Sequence, residues 1–262
     1  MAAILGIDAA WTPRGTSGVA LVCGDANKLW LCRVAPSYDE FIDGDFGASN
    51  RRSGGTVPKI KQLVNAAQAL CQKNIDVIAV DMPMSRTEFS SRRAADNAIS
   101  RKYGSRKAST HSPNRERPGE LGRRITSDFN ALGFPLVTSQ MESKAPALIE
   151  VYPHVALIEC FSADERLKYK IHRSHKLWPG ASVSERIGLL LGEWRRIVGE
   201  LSERISGVEA ELNLPKTFFS LASMKPYEDC IDAIVSAWVG IQFWRGSADP
   251  YGDADAAIWV PR

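Results

Sequence analysis

Acidic side chains stand at three places where strands or helices would present them. Asp8 interrupts the apolar run 4–10. A carboxylate there is costly without a partner. Asp81 follows the apolar run 75–80. Asp229 and Asp232 are three residues apart near the start of a helical stretch, so both point to one side of it. Taken singly, Asp81 reads as a turn or cap residue and Asp229 as a first-turn carboxylate favoured by the helix dipole. Taken together, clustered carboxylates repel one another, and such a site makes sense where divalent cations bind. Two Mg²⁺ or Mn²⁺ ions about 4 Å apart activate water and stabilise a leaving oxygen in phosphodiester cleavage.

That chemistry requires the elements to meet. The runs 4–10, 17–23 and 28–34 read as strands joined by short connections, a turn over 11–16 and a tight turn at 24–27, which gives an antiparallel meander. Residues 36–56 read as an irregular exposed loop. Ile60, Leu63, Val64, Ala67 and Leu70 mark a helix over 57–72. A strand over 75–80 after that helix predicts a parallel return beside the first strand, which brings Asp81 to Asp8. A fifth strand over 147–152 is stopped by Pro153. Helices follow over 155–161, 185–205 (capped by Ser184) and 226–243, the last with Ile231, Ile234, Val235, Trp238 and Ile241 on its apolar face. The tail reads as a loop and a short strand, 257–260. The pattern is α/β, and 262 residues fit one domain.

Gly6-Ile7-Asp8, Ala79-Val80-Asp81-Met82-Pro83, Glu150-Val151-Tyr152-Pro153-His154 and Asp229-Cys230-Ile231-Asp232-Ala233 resemble the successive motifs of domain-of-unknown-function family 429, regarded as a predicted nuclease family of the ribonuclease H-like superfamily. The resemblance implies a ribonuclease H-like mixed five-stranded sheet, three antiparallel strands then parallel ones, flanked by helices. Asp229, Asp232 and the following Ala also resemble the last catalytic helix of Holliday-junction resolvases. By that comparison Asp8, Asp81 and Asp232 are ligands of Mg²⁺ or Mn²⁺, and Asp229 is a fourth. The resolvases usually carry Glu where this chain has the shorter Asp81. Glu150 has three open roles: a further ligand, a group orienting His154 or a lysine, or a structural ion pair with a basic residue. His154, after a proline, reads as a cap or packing residue or as a general base.

The formal charge of +3 is too mild to imply a polyanionic partner, but its distribution is uneven. Residues 86–124 hold eleven Lys or Arg against four acids. This marks a basic insertion over about 84–146, part helix (around 90–102, and 120–132) and part loop. Arg92-Arg93, Arg101-Lys102 and Arg106-Lys107 come in pairs suited to phosphates, with Tyr103 and His111 available to stack on bases. A solvated insertion with no ligand is the alternative. Lys168, Lys170, Arg173 and Lys176 form a second basic patch with the same two readings. His172 and His175 lack a third ligand, so a metal site there is rejected. The five cysteines are widely spaced, without a CxxC, and read as reduced thiols. No apolar run approaches the roughly 18 residues of a membrane span. A cytoplasmic, metal-dependent nuclease acting on DNA or RNA is the expectation. Two alternatives remain: an actin-like ATP-dependent phosphotransferase, which would need two such cores and a glycine-rich nucleotide loop in the second half, where Gly188, Gly192, Gly199 and Gly207 fall singly, and a non-catalytic nucleic-acid-binding protein.

Overall fold

Strand β1 (Ala2–Asp8) is buried over its first six residues, which explains why its sequence is apolar without alternation. The computed structural model describes residues 1–12, 15–44, 58–89 and 91–262. The expected turn at 13–14, the loop over 45–56, the first residue of the predicted helix 57–72 and residue 90 lie outside the described residues. From β1 the chain continues through β2 (Gly18–Gly24), β3 (Leu29–Ala35) and a short helix α1 (Tyr38–Asp43). Then come α2 (Ile60–Cys71), β4 (Val77–Val80), α3 (Ala94–Tyr103), α4 (Gly119–Ala131), β5 (Ala147–Val151) and α5 (Pro153–Cys160). A single 3₁₀ turn, Ile171–Arg173, leads to α6 (Ser174–Leu177), α7 (Val183–Ser202), α8 (Val208–Leu212), α9 (Leu221–Trp244), β6 (Ala248–Gly252) and β7 (Ala257–Pro261).

These strands form one mixed sheet in the order β3-β2-β1-β4-β5-β7-β6. The meander β1–β3 is antiparallel, β4 pairs parallel to β1, and β5 pairs parallel to β4, as the crossover argument requires. The sheet has seven strands where five were expected. A carboxy-terminal hairpin, β6 antiparallel to β7, adds to β5 through β7. Pro250 lies inside β6 and speaks against a strand in sequence. It is tolerated because β6 is the edge of the sheet.

Successive residues of β1 serve opposite faces. Ile4 packs into a core with α7 and α9, through residues such as Trp194, Ile234 and Ile241. Leu5 and Ile7 pack into a second core with α2 and α4, through Leu63, Val64 and Phe129. A third, smaller cluster joins Ala95, Ile99 and Tyr103 of α3 to Val155, Ile158, Ile258 and Val260. Its apolar contacts tie α3, inside the basic stretch, to the carboxy-terminal hairpin.

Several boundaries differ from the sequence reading, each for a local reason. Within the expected loop 36–56, Ser37 caps α1 by accepting from the Glu40 amide, and Phe41 is buried. Pro153 starts α5 rather than only ending β5, because its missing N–H is an orphan at a helix start anyway. Helix α7 is capped by Ser182, not Ser184, in a capping box with Glu185. Helix α9 begins five residues before Pro226, where Ser220 caps it with Ser223. Among the described residues no helix is long and apolar enough to cross a membrane, and all five cysteines are free thiols.

Candidate functional site

The pairing of β1 with β4 runs Ile4 with Val77 through Ile7 with Val80. The next step sets Asp8 beside Asp81, and the Asp81 amide still donates to the Ile7 carbonyl at 2.8 Å. Helix α9 brings the other carboxylates by lying directly on the backbone of β1 and β2. A Cβ at Gly6 would stand 2.2 Å from the Ala233 carbonyl oxygen, and one at Gly18 would stand 2.0 Å from that of Asp229. Only glycine permits this approach. It sets Asp229 and Asp232, both buried, over the ends of the two strands.

Two lysines hold the helix carboxylates. Lys170 is ion-paired to Asp232 and reaches Glu228 at 3.7 Å. Lys225 bonds Asp229 and also Glu228 at 3.0 Å. Asp232 further accepts from the Tyr169 hydroxyl at 2.7 Å, Glu228 from the Ile171 amide at 2.6 Å, and Asp229 from the Thr16 hydroxyl. Among the described residues the carboxylates of Asp8 and Asp81 accept no hydrogen bond and make no ion pair.

Protonation follows from this inventory. Burial and then Asp229 push Asp8 up to about 7. Burial, with Asp8 and Asp232, raises Asp81 well above the carboxylate range. Burial raises Asp232 to about 6, with Lys170 opposing. Glu228 alone among these moves down: burial pushes it up, but Lys170, Lys225 and the hydrogen bonds from the Ile171 amide and Lys225 together outweigh that push. Five carboxylates thus meet two ammonium groups, and the unbalanced charge falls on Asp8 and Asp81.

Asp8, Asp81, Glu228 and Asp229 line an open cleft of about 670 Å³, together with Trp11, Thr16, Arg117, Lys170, His172 and Lys225. Carboxylate oxygens are the hard donors that Mg²⁺ or Mn²⁺ takes. The donor types therefore suit such an ion, and Asp8 and Asp81, which make no hydrogen bond or ion pair among the described residues, are the ones free to take it. The arrangement is presently built around ammonium: among the described residues no three His, Cys, Asp or Glu side chains form a group able to hold an ion.

A model of the family described as Protein of unknown function (DUF429) matches residues 6–256. The chain belongs to this family. No curated protein and no solved structure matches it.

In the DUF429 chain the other residues singled out in sequence lie elsewhere. Glu150 is buried and forms a bidentate pair with Arg93, at 2.6 and 2.7 Å, while the Met84 amide donates to it at 2.8 Å. The ion-pair alternative for Glu150 therefore describes its contacts. The Arg93 side chain, 5% exposed, also binds Asp96. This pair lines a small pocket that abuts the cleft at Trp11 and Asp81 and includes His111. Arg92 donates to Asn97, the Asp96 and Thr110 carbonyls and Ser112. Arg106 is held by Glu159 at 3.0 Å and the Ala163 carbonyl at 2.6 Å, and Lys107 is paired with Glu165. Lys102 bonds the Tyr251 hydroxyl, and Tyr103 is fully buried, so its ring is not a free stacking surface. Arg101 is exposed. The six cations proposed to meet nucleic acid are thus mostly engaged by protein groups. His154 is buried between the ring edges of Tyr152 and Tyr169. Burial and the Lys170 charge hold it well below its ordinary value, so it is neutral.

The site also contains residues the sequence reading did not place in it. Lys225 was detectable, since it stands three and four residues before Glu228 and Asp229 on one helix. Thr16, Arg117 and Lys170 reach the site through long-range folding and carry no local signal.

Proposed function

We propose that this chain is a divalent-metal-dependent nuclease that hydrolyses phosphodiester bonds of DNA or RNA on a ribonuclease H-like core. Support for the core comes from the strand order β3-β2-β1-β4-β5, an antiparallel meander followed by parallel strands, with the β7-β6 hairpin as an addition. One observation carries the activity. Asp8 and Asp81 stand adjacent in an open cleft and make no salt bridge or side-chain hydrogen bond among the described residues, and Glu228 and Asp229 of α9 line the same cleft; Lys170 acts on both only from a distance. Mg²⁺ or Mn²⁺ would be held by Asp8 and Asp81 with Asp229 and Asp232, and when bound would supply an activated water and charge stabilisation at the leaving oxygen. The chain's own groups have distinct tasks. Lys170 and Lys225 hold Asp232 and Asp229 in place. Arg117, at the cleft wall, meets a phosphate oxygen. Glu150 acts at one remove, by fixing Arg93 and the Met84 amide behind Asp81.

The test is cleavage of end-labelled single- and double-stranded DNA and RNA with Mg²⁺ or Mn²⁺. Cleavage is expected with wild-type protein and lost in Asp8→Asn with the fold retained by circular dichroism. Full activity in Asp8→Asn, or none in the wild type on any substrate, rejects the reading. A second reading, a nucleic-acid-binding protein without catalysis, is favoured by the ammonium groups of Lys170 and Lys225 beside Glu228, Asp229 and Asp232. It predicts oligonucleotide binding with no turnover and no thermal stabilisation by either ion.

A further inference from the structure

Lys170 has two sides. Toward α9 it meets the carboxylates. On its other side it lines a separate pocket of about 230 Å³ with Arg166, Lys168, Arg173 and Lys176. The pocket wall contributes one acid, Glu165, which is already paired with Lys107. Among the described residues the side chains of Arg166 and Arg173 make no hydrogen bond and no ion pair, although both are half-buried. An exposed lysine without a partner is simply solvated. Two adjacent half-buried guanidinium groups without one are different, because each has lost water and repels the other. Their field is felt behind the pocket, where Lys170, Arg166, His172 and Arg173 all disfavour a charge on the buried His154. The imbalance is the reverse of the one in the cleft: unpaired guanidinium groups here, unpaired carboxyl groups there, with Lys170 between them.

The geometry points to this pocket as a subsite for a phosphate group, the terminal phosphate of a nucleic-acid strand whose reacting diester lies in the adjoining carboxylate cleft. The assignment of the cleft rests on the nuclease reading; the phosphate subsite itself does not. The volume suits a phosphate with part of its sugar and not a duplex groove. Guanidinium forks match phosphate oxygens in pairs, and Arg166 and Arg173 supply two of them. The surplus of cations favours a doubly charged monoester over a singly charged internal diester. A strand end anchored here would bring its first internal linkages toward Asp8 and Asp81, across Lys170.

The subsite is tested apart from catalysis, by calorimetric titration of the Asp8→Asn protein in chelator. The probes are inorganic phosphate, a short oligothymidylate phosphorylated at its 5′ or 3′ end, and the same oligomer without phosphate. The phosphorylated oligomer is expected to bind about tenfold or more tightly than its counterpart, the size of one charge-assisted contact. The 5′ and 3′ versions identify which end is read. In Arg166→Gln/Arg173→Gln, with a melting temperature no lower than that of the starting protein, that preference disappears and phosphate no longer competes. Equal binding of the oligomers by the starting protein, or a preference that survives the double substitution, overturns the proposal. A wild-type protein that binds phosphorylated ends but cleaves nothing with Mg²⁺ or Mn²⁺ keeps the subsite and removes the nuclease reading.

Discussion

Asp8 and Asp81 leave the sheet side by side from neighbouring parallel strands, the Asp81 amide bonded to the Ile7 carbonyl at 2.8 Å. Neither carboxylate makes a salt bridge among the described residues, while Lys170 and Lys225 pair directly with the carboxylates of α9. The pair is therefore a point of stored electrostatic cost, and that cost has a pH signature. Asp8 titrates near 3.8 when unfolded and is pushed to about 7 when folded. The native state holds a proton that the unfolded chain releases between these values. The contribution is fully favourable below the unfolded value and is lost as pH rises through the folded one. Asp8→Asn is accordingly expected to be more stable than wild type by on the order of 4 kcal/mol at about pH 8, the advantage vanishing near pH 4. Denaturant melts across that range measure it. A variant less stable than wild type at pH 8 contradicts the account.

Lys170 gives a second test. Its ammonium neutralises Asp232, which is 0% exposed, and lies near Glu228. Lys170→Met leaves Asp232 buried without its cation, at a cost of about 3 kcal/mol. If divalent ions bind among these carboxylates, Mg²⁺ or Mn²⁺ restores part of the loss, and melting temperature rises with ion concentration more steeply than in wild type. A destabilised variant indifferent to both ions would mean that the carboxylates serve the lysines alone.

The strand carboxylates were legible in sequence because the rule that connects them is local. A strand, a crossover helix and a strand predict parallel neighbours, and Asp8 and Asp81 follow from the register. Asp229 and Asp232 were legible as a pair by helical spacing, and Gly6 and Gly18 complete the arrangement by letting α9 descend onto β1 and β2. The counter-ions were not legible. Lys170 lies 62 residues from Asp232, and nothing near it in the chain names its partner. The same limit explains Arg93. In sequence Arg92-Arg93 is a basic pair fit for phosphates, and only the fold reveals that Glu150, 57 residues away, is buried against Arg93. Charge composition locates cations, whereas burial decides which of them remain free. The β6–β7 hairpin was half legible, since Pro250 masks an edge strand.

Arg93 should therefore behave as a core residue. Arg93→Met removes the cation from Glu150 and Asp96, both buried, and leaves the Met84 carbonyl without its donor. A loss of about 3–5 kcal/mol is expected, as for breaking a buried pair from one side. Arg101→Gln, an exposed neighbour on α3, should change stability by less than about 0.5 kcal/mol. Equal, small effects in the two variants would mean that the buried network does not hold α3 to the sheet.

The approach of α9 makes the last prediction. At Gly6 a methyl group would meet the backbone of Ala233 and Ala237, at 2.2 and 2.4 Å, and backbone cannot rotate away. Gly6→Ala must push the helix off the sheet, costing about 1–3 kcal/mol as overpacking does. The same movement separates Asp229 and Asp232 from Asp8, so any divalent-ion stabilisation falls along with stability. Gly188, in α7, has open space around its Cβ position. Gly188→Ala should stabilise by about 0.5–1 kcal/mol through helix propensity, with the ion response unchanged. Chemical denaturation of both variants, with and without Mn²⁺, separates a site built by close backbone contact from one that tolerates a shifted helix. If Gly6→Ala keeps the full ion response, the contact of α9 with β1 is not what sets the carboxylates.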